Sequence, residues 1–133
     1  MKIKAASGHS CYVSDLDKTA AFYEKLGLTV KTRTKDRIII YLNWYRIDFV
    51  LFDNESIPEI QKEIKSKNKG DGVFLYFSVD SVDDTYKEVL DLGLKPINEP
   101  KDMSWGNREF IIRDPDGYKV VFFKRKVAKN PTD

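Results

Sequence analysis

One histidine, His9, and one cysteine, Cys11, supply the only imidazole and the only thiol in the chain. They sit two residues apart in Gly8-His9-Ser10-Cys11. On a strand they would share one face, while Gly8, Ser10 and Tyr12 share the other. A lone histidine leaves little room for nucleophilic catalysis, because a Ser or Cys nucleophile needs a base and a group that orients the base. Cys11 reads as a small buried apolar residue. A single cysteine permits no disulfide within the chain, which suits a reducing cytoplasm. Asp83 and Asp84 form a carboxylate pair, but they fall at a predicted helix start, where the helix dipole accounts for them. No glycine-rich phosphate loop is present.

Composition narrows the class further. A length of 133 residues with 41% hydrophobic content predicts one globular domain with a real core. Lys plus Arg number 23 against 21 Asp plus Glu, a formal charge of +2 that gives no reason to expect nucleic acid. The basic clusters at Lys62–Lys69 and Lys124–Lys129 read as solvated faces or a tail. No apolar run is long enough to span a membrane, and Met1 does not open a signal peptide. The expectation is a cytoplasmic protein with neither nucleic-acid nor membrane partners.

The elements that must position any site are legible from pattern. Trp105 to Lys124 reads as two strands around the turn Asp114-Pro115-Asp116-Gly117, where Pro115 presets φ and Gly117 takes a positive φ. Phe, Ile, Val and Tyr flank the turn, as strands require. Residues 2–13 alternate as a strand. A helix follows near 15–26, capped by Ser14 or Asp15, with Leu16, Ala20, Tyr23 and Leu26 at helical spacing and Gly27 as its stop. Strands are expected at Thr29–Arg33, Arg37–Asn43 and Arg46–Phe52, then a short polar helix at Ile57–Lys65 and a charged linker at Ser66–Gly72. A strand at Gly72–Val79 and a helix near 82–92 come next.

The chain repeats itself at a shift of 66 residues, half its length. Val13 matches Val79, Asp17 matches Asp83, Thr19 matches Thr85, and Leu26-Gly27-Leu28 matches Leu92-Gly93-Leu94. Agreement position by position at that shift predicts two copies of one unit. The reading is an α+β fold of two tandem βαβββ modules in a single domain, 1–133. Module one spans 1–55, a linker 56–71, and module two 72–126, each sheet being covered by its helix.

Asp15 to Leu28, D-L-D-K-T-A-A-F-Y-E-K-L-G-L, resembles the first helix signature of the vicinal-oxygen-chelate superfamily. W-G-x-R-x-F ending in D-P-D-G-Y resembles that superfamily's C-terminal hairpin. The group includes glyoxalase I, extradiol dioxygenases and the bleomycin-resistance proteins. The resemblance implies two modules curving a sheet around a cavity, often as a homodimer. In the enzymes it also implies a divalent metal held by His, Glu or Gln, near the start of the first strand and on the last strand of each module. Carried across, those positions are Gly8, Val50, Phe74 and Val121, none of which can coordinate through its side chain. His9, beside Gly8, faces the helices if Gly8 faces the cavity. No metal or other cofactor is therefore expected, and the chain leans away from being an enzyme.

The resemblance also places aromatic residues at the cavity: Tyr12, Trp44, Phe74, Tyr76 and Trp105, with Tyr45 beside Trp44 at the hairpin turn; Trp44, Tyr76 and Trp105 suit a dimer interface equally well. Rings on a concave surface suit flat or apolar ligands. Arg108 or Glu109, depending on hairpin register, and Asp48 are the candidate polar partners. Phe22, Tyr23, Phe110 and Phe122 read as core. The function expected is metal-free, non-catalytic binding or sequestration of a small aromatic molecule, of the antibiotic-resistance type. The alternatives are a glyoxalase-type lyase, epimerase or dioxygenase with atypical ligands, and a scaffold used only for protein interaction.

Overall fold

The computed structural model describes residues 1–51 and 57–126. In chain order these form β1 (Gly8–Tyr12), α1 (Leu16–Lys25), β2 (Val30–Arg33), β3 (Arg37–Leu42), β4 (Tyr45–Val50) and α2 (Pro58–Ile64). They continue with β5 (Phe74–Ser78), α3 (Val82–Asp91), β6 (Lys101–Asp102), β7 (Asn107–Arg113) and β8 (Lys119–Arg125). Packing divides the chain into two compact units, Met1–Lys69 and Gly70–Asp133. Each is a βαβββ arrangement on a four-stranded sheet, ordered β1-β4-β3-β2 in the first and β5-β8-β7-β6 in the second. The first strand of each unit lies parallel to its last, and the other neighbours are antiparallel. The fold is α+β with two mixed sheets. No described helix is long and apolar enough to cross a membrane.

The internal repeat has a physical basis in the caps. β1 and α1 recur as β5 and α3 at the 66-residue shift, end for end. The Asp15 carboxylate accepts from the Lys18 amide at 3.0 Å, and the Ser81 hydroxyl accepts from the Asp84 amide at 3.2 Å, so each helix satisfies an otherwise orphan N–H. Thr19 and Thr85 each donate a hydroxyl to the cap residue's carbonyl. Gly27 and Gly93 end the helices at φ of +92° and +80°, a left-handed conformation that favours glycine.

Each sheet buries one face against its helix. In the first unit that face carries His9, Cys11, Ile38, Ile40, Ile47 and Phe49, with the Tyr23 and Phe49 rings 4.6 Å apart. In the second it carries Leu75, Phe77, Phe110, Ile112, Val120 and Phe122, with Tyr86 of α3 edge-on to Phe110 at 5.2 Å. Phe22, Tyr23, Phe110 and Phe122 are all buried, as core residues. Arginines clamp helix to sheet on the exposed flank. Arg33 reaches Asp17 at 2.7 Å, and Arg108 grips Asp83 through two hydrogen bonds of 2.9 and 2.8 Å while also reaching Asp102. Asp83 therefore serves an ion pair as well as the helix dipole.

Several boundaries differ from the sequence reading. Residues 2–7 are not strand. β1 begins at Gly8, where its ladder with β4 begins, and before it the Ser7 carbonyl accepts a single bond from the Arg46 amide of β4. β6 was not anticipated, being only two residues long. Phe52 and the basic run beyond Lys126 lie outside the described residues.

The closing hairpin owes its turn to Asp114, which is 6% exposed. Its carboxylate accepts from the amides of Asp116 and Tyr118, both at 2.9 Å. Its own amide donates to the Tyr118 carbonyl at 2.8 Å. These bonds fix the pairing of Arg113 with Lys119 and hence the register of the whole β7–β8 ladder.

Candidate functional site

The face of the second sheet away from α3 gathers the aromatic candidates. Strand alternation turns Phe74 and Tyr76 of β5, Val121 and Phe123 of β8, and Glu109 of β7 to this side. Phe74 and Tyr76 are each 48% exposed, and Trp105, just before β7, is 53% exposed. Tyr76 meets Phe123 edge-on at 5.5 Å. Lys119 lies over the Phe74 ring at 4.6 Å while donating to the Gly70 carbonyl.

Glu109 is the polar centre of that face. It is only 2% exposed, and its Oε2 receives two long contacts of 3.4 Å, from Trp105 Nε1 and Asn107 Nδ2. Partial burial, and after it the Glu109 charge, push the Tyr76 phenol above its usual pKa. Of Arg108 and Glu109, β7 turns Glu109 to this face, while Arg108 pairs with Lys124 on the helix side and binds Asp83 and Asp102. Phe123 and Asn107 lie on the same face as Glu109, although the sequence reading does not name them. Their signal was parity, two residues from Val121 and from Glu109.

In the first unit the corresponding face is polar. Gly8, Ser10 and Tyr12 pair with Arg46, Asp48 and Val50. Asp48, 7% exposed, is held by Arg46, whose Nη2 lies 2.9 Å from Oδ2, and Arg37 Nε is 3.9 Å away. Arg46 and Asp48, with Ser7, Gly8, His9 and Ser10, line a cavity of about 250 Å³. Tyr12 is half-buried on this face beside Val50. Trp44 stands apart at the tip of the β3–β4 hairpin, 71% exposed and edge-on to Tyr45. The turn is made by Asn43 at φ 56°.

His9 shares the core face with Ile47 and Phe49. Its Nδ1 lies 2.7 Å from the Tyr45 hydroxyl, and its Nε2 is buried without a partner. Burial pushes its pKa below the ordinary value, against an opposing pull from the Asp48 charge.

The ligand positions implied for a metal can now be tested by pairing. Tyr76 stands opposite Val121, and its counterpart Ser10 stands opposite Asp48. Asp48, not Val50, is therefore the first unit's equivalent of Val121, and Val50 corresponds to Phe123. The sequence alignment was displaced by two residues on β4, because no turn links the parallel strands to set their register. The corrected set is Gly8, Asp48, Phe74 and Val121. It contains one donor, and that carboxylate is already paired with a guanidinium. At Gly8 an added Cβ would lie 2.1 Å from the Arg46 carbonyl oxygen, so the backbone of β4 fills the place of any side chain. No group of three or more His, Cys, Asp or Glu among the described residues could hold a metal ion. The residues present do not fit a divalent metal at the superfamily's position.

Comparison with known proteins agrees with the architecture. A YraH protein of Bacillus subtilis, itself uncharacterised, is 29% identical over 128 residues, covering 84% of this chain and 91% of that protein. A bleomycin resistance protein of Geobacillus stearothermophilus is 25% identical over 120 residues, covering 85% of this chain and 91% of its own length. The crystal structure of a bleomycin-binding protein complexed with bleomycin superposes with a TM-score of 0.64 at 21% identity, covering 92% of this chain and 99% of that one. The family profile described as Glyoxalase/Bleomycin resistance protein/Dioxygenase superfamily matches residues 8–122. With the two βαβββ units, their mixed sheets and the D-P-D-G-Y hairpin in place, the chain belongs to the glyoxalase/bleomycin resistance protein/dioxygenase superfamily.

Proposed function

We propose that this protein binds a small aromatic molecule on the open face of its second sheet and holds it without metal or chemistry, as a sequestering protein does. The observation that carries the reading is the set of exposed rings Phe74, Tyr76 and Trp105 around a buried carboxylate. Large apolar side chains left half in water on one face of a sheet are costly unless something covers them, and flat ligands do so through stacking and burial. Relatedness to bleomycin resistance proteins supports a drug-binding role. The lack of donors at the metal positions weighs against the lyase, epimerase and dioxygenase alternatives.

Tryptophan emission tests it. Titration with a panel of planar antibiotics and other aromatic compounds should change the fluorescence of Trp105. Trp105→Ala and Tyr76→Ala should each weaken binding by about 0.5–1.5 kcal/mol beyond the lost area, roughly 2- to 13-fold. Phe22→Ala, on α1 of the other unit, should lower stability and leave affinity nearly intact. A panel that fails to bind, or affinity indifferent to both ring substitutions, would return the rings to structural roles.

The active form in this reading is a symmetric homodimer, since each sheet ends in unpaired edge strands that a second copy can shield. Light scattering at micromolar concentration should then report twice the 15.5 kDa chain mass. A 15.5 kDa species would count against it.

A further inference from the structure

Among the described residues three carboxylates are buried, Asp48, Glu109 and Asp114. Two of them are compensated within the fold. Asp48 has the Arg46 guanidinium, and Asp114 has two backbone amides at 2.9 Å. Glu109 has neither. Its partners among the described residues are two neutral donors at 3.4 Å, the Trp105 indole and the Asn107 amide, near the outer limit for a hydrogen bond. Lys101 stands opposite Glu109 across β6 and β7 without an ion pair to it among the described residues. An anion removed from water without a counter-charge is costly, and the fold bears that cost at one place, beneath the exposed rings. Trp105 and Tyr76 offer the ring faces to which a cation is also attracted.

We infer that the ligand carries an organic cation, an alkylammonium or a permanently charged ring nitrogen, that sits against Glu109 while its ring system lies on Tyr76 and Trp105. This rests on the binding reading above and adds the charge of the ligand to it. The missing counter-ion of Glu109 is then supplied by the ligand. A cation there gains both the carboxylate and the ring faces, whereas a neutral ring gains only the rings, and an anion is repelled.

Three probes of one shape separate these cases in the wild-type protein at neutral pH: N-methylacridinium, neutral acridine and acridine-9-carboxylate. By calorimetry the methylated cation should bind roughly tenfold or more tighter than acridine, and the carboxylate weakest. Glu109→Gln should abolish the preference for the cation over acridine, with the folding of the variant checked by circular dichroism. Trp105→Ala should weaken both. If cation and neutral ring bind equally, and Trp105→Ala weakens both, the cation inference is overturned and the ring site stands. If none of the three binds, the ring site falls and this inference falls with it. Should Glu109→Gln not fold, the ratio between the two probes on the wild-type protein decides the matter by itself.

Discussion

Phe110→Ala is expected to cost about 3–5 kcal/mol of stability, the usual range for emptying an aromatic side chain from a packed interior. Phe110 is fully buried. It meets Tyr86 of α3 edge-on at 5.2 Å and lies 5.1 Å from Phe122, so it joins helix to sheet in the second unit. Its removal leaves a cavity that neither neighbour can close without abandoning the other. A urea titration measures the effect as a lower midpoint with an unchanged slope. The next residue back supplies the contrast. Glu109 points to the opposite side of the same strand. Glu109→Gln keeps the shape and removes a charge that has no counter-ion among the described residues, so its effect should appear in ligand selection while stability holds near wild type. If Phe110→Ala left the midpoint unmoved, α3 would not be packed on β7 and the division of the sheet into a core face and an opposite, outward face would fail.

That division could be read from the sequence only in part. Helix positions were legible because each carries its own punctuation, a cap at Asp15 or Ser81 and a left-handed glycine at Gly27 or Gly93. The antiparallel hairpin was legible as an element, and its core aromatics Phe110 and Phe122 follow from alternation with the turn. The choice between Arg108 and Glu109 was not legible, since both are polar neighbours and a slip of one residue exchanges their faces. It depends on which residues the turn pairs, and the Asp114 carboxylate determines that by reaching the amides of Asp116 and Tyr118. The parallel pair of β1 and β4 was less legible still. Strands joined by distant chain have no local turn to set their register, so the sequence alone points to Val50 for the position that Asp48 holds. Arg46 escaped notice for the same reason: its meaning lies in being two residues from Asp48 on one face.

Gly8→His, which places the superfamily's expected ligand at its own position, is expected to destabilise the protein without gaining a metal. A Cβ on Gly8 would meet the Arg46 carbonyl oxygen at 2.1 Å and its carbonyl carbon at 2.9 Å. The obstacle is backbone, not the end of a flexible side chain. The strands cannot part locally, because the Arg46 amide donates to the Ser7 carbonyl at 3.2 Å immediately beside the contact. Forced overpacking of this kind costs about 1–3 kcal/mol, occasionally more. Phe74→His makes the matched control, because Phe74 holds the same place in the second unit, is 48% exposed, and already accommodates a large side chain. It should remain near wild-type stability. Neither variant should retain a stoichiometric divalent ion by elemental analysis of untagged protein purified without chelator, and neither should the wild-type chain. A single imidazole provides one bond where a transition metal needs at least three convergent donors. The carboxylate that lines the same cavity as Gly8, Asp48, would have to exchange the Arg46 guanidinium for the ion. A Gly8→His protein as stable as wild type that takes up one equivalent of zinc would show that β1 and β4 can separate there, and would restore the metal-dependent reading of the site.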